Sequence, residues 1–259
     1  MKKMMKKLAL AVACVTTVAM FAACGGKEDD AKNSEQANVI KFGTNAEFPP
    51  FEFVAANGVI DQYDGIDMAI AKQIGDELGK TAQIENMEFD SLLLALQNGQ
   101  VDAVIAGMTV DPERAEEVNF SVPYYNAKQV MIVKEGSDIT KATDMADKKI
   151  VVIQGYTGES CVKDMGYAYE AFKKGSEAIM ELVNGKCDVV VIDSATAQKY
   201  VGDNEGLKIM EDDEAFGNEE YAIAVNKENT ELLEQINEIL GKMIADGTIN
   251  ELSAKYSEQ

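Results

Sequence analysis

The segments NGQVDAVIA (98–106) and NGKCDVVVI (184–192) stand eighty-six residues apart and share Asn, Gly, Asp and Val at matched places. Each follows an amphipathic stretch, Ser91 to Gln97 in the first case and one carrying Ala178, Ile179, Leu182 and Val183 in the second. Each runs on through Asn-Gly, where glycine closes a helix in the left-handed region without penalty, into a buried strand, Val101 to Ile105 or Cys187 to Ile192. Helix-glycine-strand joints resemble one another in many α/β chains, and that is one reading. The sharper reading is two lobes of like construction. Around these joints short apolar runs alternate with amphipathic stretches, the mark of α/β units. Val39 to Thr44 reads as a strand, and Ile66, Ala69, Ile70, Ile74 and Leu78 mark one face of a helix that Gly79 ends. Val130 to Val133, Ile150 to Ile153, Leu207 to Met210 and Tyr221 to Val225 are further strands. A long helix then carries Leu232, Ile236, Leu240, Met243 and Ile244 on one face. Nothing composes a flexible linker between the halves. The lobes are therefore expected to be joined by strand-like crossovers near 126–130 and 217–222, a hinge of two segments.

Composition narrows the function. The 259 residues hold no His and no Trp, with 45 acids against 24 bases. So acidic a chain lacks the clustered cations of a nucleic-acid groove and does not suit lying flat on anionic lipid. Without histidine there is no Ser-His-Asp or Cys-His arrangement and no His-ligated metal, and the four cysteines at 14, 24, 161 and 187 are too far apart for a thiolate metal site. No cofactor and no metal are expected. The first 23 residues carry four Lys and no acid, and Leu8 to Ala23 is mostly apolar, the pattern of a secretory signal. The polar residues 25–37 (GGKEDDAKNSEQA) after Cys24 read as a tether.

Several motifs fail. GDELGKT (75–81) has three residues between its glycines where a phosphate loop needs four, and it lies where a helix ends. Asp61 to Gly65 lacks calcium-loop spacing. One residue stands out positively. Arg114 is the only arginine among 24 cationic residues, and a planar fork is favoured over Lys where a carboxylate is gripped at two points. It follows the strand 101–105 and the segment Ala106-Gly107-Met108-Thr109, and the carboxyl ends of strands are where α/β sheets hold ligands. An incidental Arg on an acidic helix, Asp111 to Glu117, is the alternative.

GTNAEFPPFEF (43–53), YDGIDMAIAKQIGDELG (63–79), FDSLLLALQNGQVDAVIAGMTVDPER (89–114), FSVPYY (120–125), VIQGYTGE (152–159) and CDVVVIDS (187–194) resemble, in order, the family-3 extracellular solute-binding proteins. These are the polar amino-acid receptors of ABC importers. The resemblance implies an α/β, two-lobed type II periplasmic-binding-protein fold, with lobe 1 at 39–128 and 219–259, lobe 2 at 129–218, and one free amino acid held between them. The expected partner is an ABC permease in the membrane, and the expected state is a monomer that touches no nucleic acid. Small residues before Cys24, then glycines, resemble a bacterial lipoprotein signal. That makes 1–23 the signal peptide, Cys24 the lipidated residue and 24–38 the tether of an extracytoplasmic protein anchored to the outer face of the cell membrane.

Carried over residue by residue, the resemblance implies that Arg114 holds the ligand α-carboxylate with help from Thr109 and Thr157. Asp193 would pair with the α-ammonium alongside the carbonyls of Ala106 or Gly107, where glycine leaves room at the backbone. Phe48 and Phe89 would sandwich the ligand side chain. Each has a plainer reading: Phe48 and Phe89 as core, Asp193 and Thr157 as helix caps. Asn45 stands where many basic- and glutamine-binding relatives carry Asp. It offers hydrogen bonds without charge, so neutral polar ligands rank ahead of basic ones and acidic ones last. Glu47 and Asp90 could add a carboxylate if they point inward. Rival readings on the same fold are a small-molecule lyase or dehydratase, with Glu47 as its nearest acid, and an extracellular amino-acid sensor. Cys161 and Cys187 could pair in an exported protein, but Cys187 matches Val101 in the repeat, a buried apolar place, so free thiols are favoured.

Overall fold

The computed structural model describes residues 38–257; the leader, Cys24 and the tether up to residue 37 lie outside the described residues. Two sheets organise the body. The first has strand order β5-β1-β6-β14-β7. In it β1 (Val39–Thr44) pairs parallel with β5 (Thr81–Asn86) and β6 (Ala103–Val104), while β14 (Ala224–Val225) pairs antiparallel with β6 and β7 (Asn119–Phe120). The second has order β10-β9-β11-β8-β12. There β9 (Ile150–Ile153) runs parallel to β10 (Tyr169–Phe172) and β11 (Val189–Asp193), and β8 (Tyr125–Lys134) runs antiparallel to β11 and β12 (Leu207–Met210). A small hairpin sheet, β2 (Glu47–Phe48), β3 (Glu52–Val54) and β4 (Tyr63–Asp64), sits beside the first.

The strands of the second sheet are apolar throughout because both faces are covered. Their side chains alternate between two cores: Ile150, Val152, Val189 and Val191 face one, Val151, Ile153, Val190 and Ile192 the other. Helix α1 (Ile66–Glu77) buries Ile66, Ile70 and Ile74, spaced four apart on one face. After α2 (Leu92–Gln97) come α3 (Pro112–Glu117), α4 (Thr157–Asp164), α5 (Gly175–Val183) and α6 (Ser194–Asp203). The amphipathic α7 (Thr230–Ala245) and then α8 (Thr248–Ser257) complete the order. Among the described residues no helix is long and apolar enough to cross a membrane.

The repeated segment folds twice in the same way. Gly99 and Gly185 end α2 and α5 at φ +67° and +70°, a conformation glycine adopts freely. Three residues on, Asp102 and Asp188 each receive a backbone N–H at 2.8 Å, from Lys41 within β1 and from Lys149 just before β9. Each also donates its own N–H to the carbonyl of the same lysine at 2.9 Å.

The chain passes between the sheets along β8 and returns along β13 (Asn218–Tyr221). Residues 125–128 of β8 pair antiparallel with β13, and residues 129–134 pair into the second sheet. Two expected strands come out differently. The strand expected at 101–105 is β6 alone, two residues long, because Val101 and Asp102 form the turn that brackets Lys41. The strand expected at 221–225 divides into β13 and β14, because at Ala222 the backbone leaves β8 and bonds to the carbonyl of Met108.

Candidate functional site

Where β6 ends, Ala106-Gly107-Met108-Thr109 turns across the face of the hairpin sheet. Gly107 has φ +52°, and a Cβ there would lie 2.5 Å from Phe48 Cε1, so the Phe48 ring rests on this glycine. The room that glycine leaves is thus taken by a side chain of the protein. The Gly107 N–H donates to Asp67 Oδ2 at 2.7 Å, and Tyr124 Oη donates to the same oxygen at 2.9 Å. Among the described residues, Asp67 Oδ1 and both oxygens of Glu52 are buried and receive no N–H or O–H from any other group. Burial, then the charge of Asp67, holds the Glu52 carboxyl well above the usual range. Glu52 therefore keeps its proton, and the two acids hydrogen-bond each other.

Arg114 projects from α3, whose N-cap Asp111 accepts the Arg114 backbone N–H through Oδ1. Its guanidinium is held at three points: Nε on Asp111 Oδ2 at 2.9 Å, Nη1 on the Thr109 carbonyl at 2.8 Å, and Nη2 on the Gly155 carbonyl at 2.9 Å. Gly155 follows β9, so this last bond joins the two sheets. The guanidinium also lies 5.3 Å from the centre of the Phe89 ring, a cation–π distance. Burial pulls its pKa down, and the charges of Asp111, Asp193 and Glu219 hold it up.

From the second sheet comes Asp193, last residue of β11 and 3% exposed. It stands at the N-cap of α6, but its side chain makes no capping bond there. Instead it accepts Gln129 Nε2 at 2.9 Å and Tyr221 Oη. Glu219 on β13 accepts from Thr109 Oγ1 at 2.8 Å and Gln129 Nε2 at 3.2 Å, so Gln129 links the two carboxyls. Burial, then the charge of Glu219, raises Asp193 to about 7; burial raises Glu219 as well.

The other sequence candidates spread around this centre. Asn45 gives Nδ2 to the Met87 carbonyl at 2.8 Å and takes Tyr156 Oη on Oδ1 at 3.0 Å. Tyr156 packs against both Phe48 and Phe89, at centroid distances of 5.3 and 4.6 Å. Phe48 is fully in the core and Phe89 at its margin. Thr157, first residue of α4, is half-buried. Glu47 pairs with Lys174 at 3.0 Å across the sheets, and exposed Asp90 accepts Gln154 Nε2 at 2.9 Å. Cys161 and Cys187 are free thiols in different cores, each raised to about 11 by burial.

The fold thus gathers Arg114, Thr109, Ala106, Gly107 and Phe89 at one rim and Asp193 at the other. Sequence reasoning missed Gln129, Glu219, Tyr221, Tyr156, Glu52 and Asp67. Two signals were available: a glutamine opening the apolar run 129–133, and an acid set between Phe51 and Phe53. Among the described residues no group of three or more Cys, Asp or Glu is placed to hold a metal ion.

Two open α/β sheets with polar groups converging between them define a binding protein of the periplasmic-binding fold. The chain belongs to the bacterial extracellular solute-binding proteins, family 3, which it matches over residues 40–259. It is 31% identical to the ABC transporter glutamine-binding protein GlnH of Bacillus subtilis, over 98% of each chain. It is 28% identical to the arginine-binding extracellular protein ArtP of the same organism, over 97% of this chain and 98% of that one. A solved ancestral arginine-binding protein bound to glutamine is similar at 42% identity and TM-score 0.78, covering 85% of this chain and 97% of that chain. The family and these relatives are solute-binding proteins rather than enzymes.

Proposed function

We propose that this protein captures a free polar amino acid between two closing lobes and delivers it to an ABC permease. Lobe 1 is 39–128 with 219–259, lobe 2 is 129–218, and the paired crossovers β8 and β13 are the hinge. Cys24 carries the lipid that anchors the extracytoplasmic monomer, after removal of 1–23. The observation that carries the reading is Arg114. Besides its ion pair with Asp111, it donates one N–H of Nη1 and one of Nη2 to protein carbonyls, leaving one N–H on each of Nη1 and Nη2, the number a bidentate carboxylate takes. Asp193, buried and rich in negative charge with Glu219 beside it, suits the ammonium end. Thr109, Thr157 and the carbonyls of Ala106 and Gly107 complete the grip on the head of the amino acid, with Phe48, Phe89 and Asn45 toward its side chain.

Calorimetric titration of the mature chain with single amino acids tests this. Arg114→Ala should cost about 2–5 kcal/mol of binding free energy, as for truncating one partner of a buried charge pair. A loss below about threefold (roughly 0.7 kcal/mol) would remove Arg114 from the site. Metabolic labelling with a fatty acid should mark the wild type and leave Cys24→Ala unlabelled.

A further inference from the structure

We propose that Tyr156 sets ligand size, closing the side-chain end of the cleft so that the protein selects an amino acid with a short, uncharged polar side chain and rejects long cationic ones. This rests on the amino-acid-binding reading above. Tyr156 stands between β9 and α4, yet its ring touches Phe48 of the hairpin sheet and Phe89 just before α2, edge-on at 5.3 Å and tilted at 4.6 Å. These are the two aromatic side chains that would otherwise flank a ligand's chain. The ring is 6% exposed, and a phenol in a close-packed interior leaves no second volume of its own size beside it.

Its hydroxyl has a further effect. Tyr156 Oη donates to Asn45 Oδ1 at 3.0 Å while Asn45 Nδ2 is engaged by the Met87 carbonyl at 2.8 Å. Both ends of the Asn45 amide thus already carry a partner from the protein, and the group offers no charge to a cationic ligand. The acids nearby are also committed, Glu47 to Lys174 at 3.0 Å and Asp90 to Gln154 at 2.9 Å. A guanidinium or ammonium at the end of a long chain would find these carboxylates already partnered, and would have to share or displace Lys174 and Gln154 while giving up its own water. A hydroxyl or carboxamide close to the ligand's Cα avoids both the ring and that cost.

Titrations of wild type, Tyr156→Ala and Tyr156→Phe with serine, threonine, asparagine, lysine and arginine test the proposal, with circular dichroism to verify folding and Tyr156→Ser as the substitute should the alanine variant be unstable. Wild type is expected to bind the short ligands at least tenfold more tightly than arginine or lysine. Tyr156→Ala should narrow or reverse that ratio at least tenfold. Tyr156→Phe keeps the ring and should keep the wild-type order. Wild type preferring arginine, or a ratio moved less than threefold by Tyr156→Ala, overturns the size rule alone. A folded wild type that binds no amino acid overturns the amino-acid reading and this proposal with it.

Discussion

A carboxyl group sealed from water and offered no donor either ionises at great cost or holds its proton, and Glu52 holds it. Neutral, it donates to Asp67, whose other oxygen fixes the Gly107 N–H and the Tyr124 hydroxyl, so a proton stored two groups away keeps the cleft turn in place. Glu52→Gln retains a donor and should change stability by less than about 1 kcal/mol near neutral pH, whereas Glu52→Ala strands Asp67 Oδ1 beside a cavity and should cost about 2–5 kcal/mol. The pH sign follows from the raised folded-state pKa of Glu52. Its stabilising contribution is complete below the ordinary carboxylate range and is lost as pH rises through the raised value. Wild type should therefore lose stability relative to Glu52→Gln in urea titrations as pH rises above the ordinary carboxylate range; a constant difference would show that Glu52 is not the buried acid. Arg114 was legible beforehand, because a single arginine among lysines is visible in composition. Glu52 and Asp67 were not, since an acid inside an apolar run reads as a solvated side chain until its neighbours in space are known.

The joint that occurs twice was the most legible part of the fold, and its two copies agree down to the acid that brackets a lysine backbone. Asp102 and Asp188 are exposed, so each bracket has water as a competitor and contributes modestly. Asp102→Ala and Asp188→Ala should each lower unfolding free energy by about 0.5–1.5 kcal/mol, by similar amounts, while ligand affinity stays within about twofold (roughly 0.4 kcal/mol). Chemical denaturation with ligand titration measures both, and a cost confined to one copy would mean the likeness is only graphic. Strands buried on both faces, such as β9 and β11, announced themselves as unbroken apolar runs. The edge strands β5 (TAQIEN) and β10 (YEAF) gave no such signal, because most of their side chains are exposed or half-buried. The hairpin strands β2 and β4 are two residues long, too short to show any period. Where the backbone changes partners, at Ala222, an apolar run longer than either strand hid the break.

Across the whole molecule, the groups that would grip a ligand come from four places brought together by the β8–β13 ladder: α3, the end of β11, β13 and the turn after β6. That convergence sets Asp193 and Glu219 in one buried region and raises both, Asp193 to about 7. Without a ligand, Asp193 is protonated in part of the molecules at neutral pH. An ammonium placed against it favours the charged form and lowers its pKa, so binding should expel a proton. Affinity should then be level above about pH 8 and fall as pH drops below 7, by up to about tenfold per unit, because a growing fraction of the free protein must first lose a proton. Titration calorimetry in two buffers of different ionisation enthalpy measures the released proton directly, and the same titrations from about pH 5 to about pH 8 trace the profile. Asp193→Asn should bind more weakly and lose the dependence. A flat wild-type profile with no proton released would mean that the carboxyl at the end of β11 does not meet the ligand's charge, and that closure of the two sheets is driven from the Arg114 side alone.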